Sequence, residues 1–348
     1  NLIDEGVNKF TTVFHGGVDG LNITEQQPLR SGLLHNASTT PNEKNSYVFN
    51  TYNEVIDTIK DPEVVECNLL SIPGLKHESL TDKLVDVAEA RGDTLAVIDL
   101  KKDFEPSFEG ADSSNIGKPV YRTNTKNVID NLKDRQLNSS YGCAYYPWVR
   151  VRDTIDGGLV YMPPSVVAIG AMSYTDRVKA PWFAPAGFNR GGLSTGIAGL
   201  PVIGVTQRLT SKDRDDLYDA NINPIATFPQ EGIVIFGQKT LQVTRSALDR
   251  INVRRLLLFV KKGISTISNE LLFEQNVRET WERFINRANP FLNDVKARFG
   301  LTDYKLVLDE TTTTPDLVDR NIMYAKIFLK PARAIEFIAV DFIITNTG

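Results

Sequence analysis

Residues 64–100 read VVECNLLSIPGLKHESLTDKLVDVAEARGDTLAVIDL, and this stretch decides the fold class. Its first part, VVECNLLSIPG, is an apolar run that ends at Pro-Gly, which predicts a buried strand. A helix is then expected from Ser79, with Asp82 three residues on and Gly92 at its C-terminal end. The segment TLAVIDL predicts a second buried strand. Strand, helix and strand of this length indicate a βαβ unit with parallel strands.

The same alternation continues to the end of the chain. Helices are expected at about 125–137, from the sequence PPS at 163–165, around RINVRRLLLFVKK and along residues 277–288; strands are expected at GCAYYPWVRV, GIVIFG, YKLVLDE, NIMYAKIFLKP and AIEFIAVDFIIT. The predicted fold class is α/β, of mixed α+β character, with mixed sheets flanked by helices. We expect two α/β domains at 52–224 and 225–348, preceded by a partial β-rich segment at 1–51.

The composition is that of an ordinary globular protein. Of the 348 residues, 41% are hydrophobic and 24% are charged, and the net charge is −4. This balance gives no general attraction to nucleic acid or to an anionic membrane. No apolar run approaches the roughly 18 residues of a membrane span. Cys67 and Cys143 form no disulfide framework and indicate a reducing compartment. We therefore expect neither nucleic-acid binding nor membrane insertion.

One stretch has the letters of a serine-hydrolase motif. Residues 192–196, GLSTG, match the G-x-S-x-G pattern around a nucleophile, here Ser194. That motif requires a preceding strand and a catalytic histidine later in the chain, whereas a Pro/Gly-rich loop precedes Ser194 and all three histidines lie upstream, at His15, His35 and His77. A catalytic role for Ser194 is kept only as the minor alternative.

Other chemical motifs are incomplete. Gly117-Lys118 is followed by Pro119, where a phosphate-binding loop needs Ser or Thr. The acidic run at 213–216 lacks the glycine of a calcium loop. The tripeptide at 91–93, Arg-Gly-Asp, fits a helix C-terminus, and no clustered metal-ligand pattern is present. We expect no catalytic residue, no metal and no cofactor.

A succession of ordered motifs resembles a known family. The motifs are YYPWVRVRD, MPPSVVAIGAMSYTDR, APWFAPAGFNRGG, LYDANINPI, FGQKT, INVRRLLLFVKK, FEQN and TPDLVDRN. Together they resemble the tail sheath proteins of contractile-tailed bacteriophages, most nearly the T-even type, from about Val55 onward. The sequence GGVDG near the start is similar to the family's passage from outer domains into the core.

The resemblance implies a structural role rather than catalysis. Sheath subunits polymerise as a helix of hexameric rings around the tail tube, and the sheath contracts to drive the tube through the host envelope. The implied partners are further copies of the chain, the tail tube protein, and the baseplate and tail terminator proteins. The implied location is the virion tail, assembled in the host cytoplasm. A sheath from a phage-derived injection particle, or tailocin, is the alternative within this class.

The resemblance also gives the domains their expected places. Residues 1–51 correspond to the end of an outer domain, residues 52–224 to the core sheath domain, and residues 225–348 to an inner C-terminal domain. The family's N-terminal arm, outer domains and C-terminal arm are expected to lie outside this sequence. We therefore expect the chain alone to sediment as a monomer.

Two residue sets are predicted to make contacts in the sheath. One is basic and lies on the helix around 250–262, where Arg250, Arg254 and Lys261 share a stripe; the predicted tube-facing residues are Arg250, Arg254, Arg255, Lys261 and Lys262. A solvated or buried helix face is the alternative. The other set lies in the Pro/Gly-rich loop at 178–200; the predicted inter-subunit residues are Trp182, Phe183 and Phe188. For these aromatic side chains, packing within their own domain is the alternative.

Overall fold

A computed structural model describes residues 47–104, 124–153 and 155–336, together with Leu29, Leu34 and Pro106. The helices in these ranges are α1 Tyr47–Thr58, α2 Glu78–Arg91, α3 Thr125–Asp134, α4 Pro164–Val178, α5 Ser211–Asp219, α6 Ile251–Asn269, α7 Arg278–Ala297 and α8 Pro315–Asp319. The strands are β1 Leu69–Leu70, β2 Leu95–Ile98, β3 Gly142–Tyr146, β4 Val149–Arg152, β5 Leu159–Met162, β6 Val202–Val205, β7 Ile222–Phe228, β8 Gly232–Ile235, β9 Leu301–Val307 and β10 Lys326–Pro331. Short 3-10 turns occur at Leu193–Thr195 and Ala247–Asp249.

The central sheet has five strands in the order β1-β2-β3-β7-β8. The first four strands are parallel, and β8 runs antiparallel to β7. The βαβ unit predicted at 64–100 is therefore confirmed, with α2 connecting β1 to β2. Gly92 caps α2 in a left-handed conformation and donates its N–H to the Ala88 carbonyl. The start was predicted wrongly: α2 begins at Glu78, after His77, rather than at Ser79.

The predicted single strand GCAYYPWVRV is two strands in different sheets. Its first half is β3 in the central sheet, and its second half is β4 in an antiparallel sheet of order β5-β4-β6. Pro147 lies between them and has no N–H with which to continue a ladder. The smaller sheet and α4 therefore cover one face of the central sheet.

Both faces of the central sheet are buried, which explains its nearly continuous apolar strands. In β2, Ala96 and Ile98 point into a core shared with α2, α3 and α5. The alternate residues Leu95 and Val97 point into a second core shared with α4, α6 and the β4–β6 sheet. All four side chains of β2 therefore lie in an apolar core, and none of them faces solvent.

The outer edge of β8 is covered by the Pro/Gly-rich loop rather than by another strand. The Ile235 N–H donates to the Gly191 carbonyl at 2.8 Å, and the Gly187 N–H donates to the Ile235 carbonyl at 2.9 Å. The Ile233 N–H donates to the hydroxyl of Ser194 at 2.8 Å. Three backbone groups of the edge strand thus find partners in one loop.

The C-terminal part packs α6 and α7 against a hairpin of β9 and β10. The boundary predicted between 224 and 225 falls inside β7, which pairs with β3 on one side and β8 on the other. Helix α6 contributes Ile251 and Leu258 to a central-sheet core, and Leu256 and Val260 to the hairpin core. We propose that the division between the domains lies at α6.

The ends of the predicted organisation lie largely outside the described residues. In the segment predicted at 1–51, the described residues from Tyr47 onward belong to helix α1, and Val48 packs into the central core. The predicted last strand, AIEFIAVDFIIT, begins at Ala334; its first three residues are described and are not part of a strand, and the rest lies outside the described residues. In the described part of the chain, no helix combines the length and apolar character that crossing a membrane requires.

Gly170 tests how closely α4 packs against the loop. A Cβ atom at this position would lie 2.4 Å from the Ala198 carbonyl oxygen, which is a steric clash. Alanine normally favours a helix over glycine by about 1 kcal/mol, but we expect Gly170→Ala to destabilise the fold by about 1–3 kcal/mol because the backbone must move apart. Urea unfolding measures the change. Gly158→Ala, which meets no atom within 4 Å, is the control, and a stabilising Gly170→Ala would contradict the packing described.

Candidate functional site

Arg254 is one of the five residues predicted to face the tube, with a solvated or buried helix face as the alternative. Its side chain is buried, with the residue only 6% exposed. The guanidinium lies 4.0 Å from the centre of the Tyr141 ring and donates a hydrogen bond to the Ser140 hydroxyl. Burial lowers the pKa of Arg254, because water no longer stabilises the charge. For Arg254 the structure agrees with the buried alternative, since the ring face and the hydroxyl take the place of solvent.

Arg255 is also buried and has a partner within the chain. Its guanidinium lies 2.6 Å from a carboxylate oxygen of Asp176 on α4, and its side chain is 3% exposed. Lys261 is exposed, and its ammonium donates to the Gly92 carbonyl at 3.1 Å. That contact places a positive charge at the C-terminal end of α2, where the helix dipole favours it.

The remaining two basic residues form ion pairs. Lys262 is exposed and pairs with Glu66, and its hydrogen bond lowers the pKa of that carboxyl group. Arg250 contacts Asp249 at 3.1 Å and Glu336 at 2.7 Å. All five predicted tube-facing residues therefore contact other parts of the same chain, and they connect α6 to the central domain and to the C-terminal segment.

Two of the three loop aromatics pack within the chain. Trp182 is 4% exposed, and its indole N–H donates to the Arg298 carbonyl at 2.9 Å. The Phe259 ring meets it edge-on at 5.2 Å. Phe183 is half-buried, with the Arg190 guanidinium 5.5 Å above its ring. For Trp182 the packing alternative describes the structure.

Phe188 is the exposed member of the set and belongs to a surface cluster. It is 48% exposed and meets the Phe228 ring at 5.1 Å and the Phe236 ring at 5.7 Å. The Arg214 guanidinium lies 5.0 Å above Phe228 and 5.9 Å above Phe236. We name these four residues the Phe188 patch. Sequence reasoning missed Phe228 and Phe236, although Phe228 ends β7 and Phe236 follows the last residue of β8.

The nucleophile pattern around Ser194 has a structural use. Ser194 lies in a 3-10 turn, and its hydroxyl accepts the Ile233 N–H. The strand-to-helix turn of a nucleophile elbow is not found there. Of the three histidines, His77 is buried at the start of α2, while His15 and His35 lie outside the described residues.

The other incomplete motifs are absorbed by local structure. Asp213 forms a reciprocal capping box with Thr210 at the start of α5. Arg91 of the Arg-Gly-Asp tripeptide is buried and donates to the Ile59 and Val65 carbonyls. Gly117 and Lys118 lie outside the described residues. In the ranges that the structure describes, no group of three or more His, Cys, Asp and Glu side chains could hold a metal.

Trp182 provides the first test of these assignments. We expect Trp182→Ala to destabilise the isolated chain by about 3–5 kcal/mol, because it empties a buried site and removes the hydrogen bond to Arg298. Denaturant unfolding followed by circular dichroism measures the loss. Phe188→Ala is the matched control and should change stability by about 0.5 kcal/mol or less. If the Trp182 variant were as stable as the Phe188 variant, the burial of Trp182 would contribute nothing to stability, and Trp182 would again be a candidate for contact between subunits.

Arg254 provides the second test. We expect Arg254→Glu to cost at least about 3 kcal/mol, because the buried site offers a ring face and a hydroxyl that suit only a cation. Lys262→Glu makes the same charge change on the same helix at an exposed position, so its effect on unfolding should be small. Equal stability of the two variants, measured by urea unfolding at one ionic strength, would show that Arg254 is accessible to solvent.

Comparison with known proteins agrees with the fold and the motifs. Residues 243–345 match the phage tail sheath C-terminal domain family. The tail sheath protein of Vibrio phage KVP40 is 31% identical over 303 residues, which cover 84% of this chain and 44% of that protein. That of Enterobacteria phage T4 is 31% identical over 338 residues, covering 92% and 47%. The chain thus spans about half the length of the curated relatives it matches.

Solved structures of similar fold come from contractile injection systems. The sheath complex of an extracellular contractile injection system, PVC, in its contracted state has a TM-score of 0.65 at 21% identity, covering 83% of this chain and 74% of that one. A chain of the anti-feeding prophage baseplate has a TM-score of 0.64 at 22% identity, covering 84% and 73%. At these identities the likeness concerns the fold. With the curated relatives and the matched C-terminal domain, it leads to one conclusion: this chain belongs to the family of phage tail sheath proteins.

Proposed function

We propose that the chain is part of the structural subunit of a contractile phage tail sheath. The observation that carries this proposal is the similarity to phage tail sheath proteins along 84% and 92% of the chain. In this function the subunits form a helix of hexameric rings around a tail tube. Head-to-tail contacts that do not close into a ring by themselves generate such helical assemblies.

The β9–β10 hairpin supports self-assembly. Its two strands pair with each other, and within the described residues no further strand joins either of them. A two-stranded sheet is marginal on its own, and its outer edges offer unpaired backbone groups. We propose that strands from neighbouring subunits add to these edges, which would link subunits through main-chain hydrogen bonds.

The Phe188 patch is the second proposed contact between subunits. Phe188 and Phe236 are 48% and 42% exposed, and Arg214 lies beside them. Aromatic and arginine side chains are the usual anchors of protein interfaces. Phe188 is therefore retained from the predicted inter-subunit set. Trp182 and Phe183 are not retained, because Trp182 is buried in the core with α6 and α7 and Phe183 is half-buried.

Contact with the tube is proposed for the exposed part of α6. Lys261 and Lys262 are the two exposed members of the basic set. Their present partners are a backbone carbonyl and the exposed Glu66, so both could also meet carboxylates of a tube protein. Exposed ion pairs are weak and salt-dependent, which suits an attachment that must later be released.

The mechanical role follows from assembly rather than from chemistry. We propose that the extended sheath is metastable and that a baseplate signal lets the subunits adopt a second packing of lower free energy. The difference between the two packings would supply the work that drives the tube through the host envelope. Baseplate and tail terminator proteins would bound the sheath at its two ends, after assembly in the host cytoplasm.

An injection-particle sheath remains the second candidate, because the similar solved structures come from such particles. The hydrolase alternative is disfavoured by the hydrogen bond between Ser194 and the edge strand β8. The test is to express the whole polypeptide that contains this chain together with its tail tube protein, and to image the product by negative-stain microscopy. Striated hollow tubes are expected. Dispersed particles at every concentration would contradict the proposal.

The Phe188 patch gives a prediction for this assay. We expect Phe188→Ser to reduce the number of sheath-covered tubes at least tenfold, because it removes an exposed ring from the proposed contact, while the melting temperature of the subunit stays within about 2 °C. Ile155→Ser is the matched control, since Ile155 is 89% exposed in the turn between β4 and β5. Normal assembly of the Phe188 variant would exclude the patch from the subunit interface.

A further inference from the structure

Glu336 is held by three hydrogen-bond donors from distant parts of the chain. Its carboxylate accepts from the Tyr218 hydroxyl at 2.8 Å, from the Gln238 side-chain amide at 3.1 Å and from the Arg250 Nε at 2.7 Å. Tyr218 lies on α5, Gln238 follows β8, and Arg250 directly precedes α6. The Glu336 side chain is 17% exposed. A carboxylate this enclosed needs such partners to offset its lost hydration.

The donor site also needs a negative charge. The Lys239 ammonium lies 4.2 Å from the centre of the Tyr218 ring, and the Arg250 guanidinium lies 5.9 Å from the same ring. Burial lowers the pKa of Lys239, and the charge of Arg250 lowers it further. The carboxylates of Asp219, Glu336 and Asp249 act in the opposite direction and raise the pKa of Lys239. Two cations near one ring repel each other, and the negative charge of a neighbouring carboxylate offsets that repulsion.

The segment that carries Glu336 runs from the β9–β10 hairpin to the central domain. The Ala332 N–H donates to the Gly300 carbonyl, which extends the pairing of the β9–β10 hairpin by one residue. Residues 333–336 then cross to the central domain, between a cleft of about 690 Å³ and one of about 580 Å³. Ile335 in this crossing is 82% exposed, so its apolar side chain does little to hold the segment in place. The Glu336 carboxylate supplies the side-chain hydrogen bonds that tie the segment to the central domain.

We propose that Tyr218, Gln238 and Arg250 form a carboxylate-binding site whose ligand is Glu336, and that this site fixes the path of the chain leaving the C-terminal hairpin. The site acts as a latch between the hairpin and the central sheet. It also gives Arg250 a function inside the subunit. The inference concerns contacts within one chain, so it stands or falls independently of sheath assembly.

Trypsin cleavage after Arg333 measures whether the latch is closed. Arg333 is exposed and begins the crossing segment, but a protease needs several residues to detach before it cuts. We expect Glu336→Gln to raise the rate at which the peptide beginning at Ala334 appears by about tenfold, equivalent to about 1.4 kcal/mol of opening free energy. Mass spectrometry follows the peptide. Synthetic peptides of residues 328–341, with Glu or Gln at 336, correct for the intrinsic cleavage rate.

Matched variants make the test specific. Glu310→Gln makes the same change at an exposed carboxylate in the loop after β9 and should leave the rate unchanged. Tyr218→Phe removes one donor and keeps the ring, so a rise of about threefold is expected. Arg250→Gln combined with Glu336→Gln should cleave no faster than the faster single variant, because both changes open the same contact.

Two results would overturn the proposal. One is cleavage of Glu336→Gln at the rate of Glu310→Gln. The other is multiplication of the two single effects in the double variant, which would show that Arg250 and Glu336 act separately. If Glu336→Gln loses cooperative melting, Glu336→Asp replaces it, since it keeps the charge but shortens the side chain by one methylene; the same rise in cleavage is expected from it.

Discussion

The position of helix α6 depends on two arginines that must be buried together with their partners. Arg254 lies against Tyr141 at the start of β3, and Arg255 pairs with Asp176 on α4. A buried guanidinium without these partners would cost several kcal/mol. The helix can therefore occupy only one register against the central domain. Its other side carries Leu256 and Val260 into the hairpin core, so the placement of the hairpin follows from the same two contacts.

Local patterns in the sequence predicted α2, α3, α4, α6 and α7 and most strands, but the expectations included neither α1 and α8 nor β5, β6 and β7. Helix α2 could be predicted from its apolar spacing and from Gly92 at its end. Strand β2 could be predicted from its uninterrupted apolar residues. Both signals lie within a single element. Side-chain environments in α6 were different, because each is decided by a residue far along the chain. Arg254 and Ser140 are 114 positions apart, and Trp182 and Arg298 are 116 apart. Periodicity carries no information about such pairs, so an apolar helix with five basic residues was compatible with either exposure or burial.

The Pro/Gly-rich loop shows the same limit over a shorter distance. Trp182 is buried and Phe188 is exposed, although both are aromatic residues in one irregular segment. No repeating geometry relates their directions, since the backbone between them is neither helix nor strand. Phe228 in β7 was not found either, because the first five residues of this strand are all buried and give no alternation from which to place it. The boundary expected at 224 falls inside β7, whose hydrogen-bonded ladder continues through it, and for this reason we propose the division at α6 instead.

The loop that covers β8 has a consequence for the fidelity of polymerisation. A protein whose copies associate by adding strands to each other's sheets must leave some strand edges free and cover the others. Uncovered edges can pair without control and lead to cross-β fibres. Here Gly187, Gly191 and Ser194 occupy backbone groups of β8, whereas among the residues that the structure describes no further strand joins the β9–β10 pair. By covering β8, the loop leaves fewer unpaired backbone groups at which the strand of another chain could add. Shortening this loop would remove these hydrogen bonds and expose the edge of β8 to pairing with other chains.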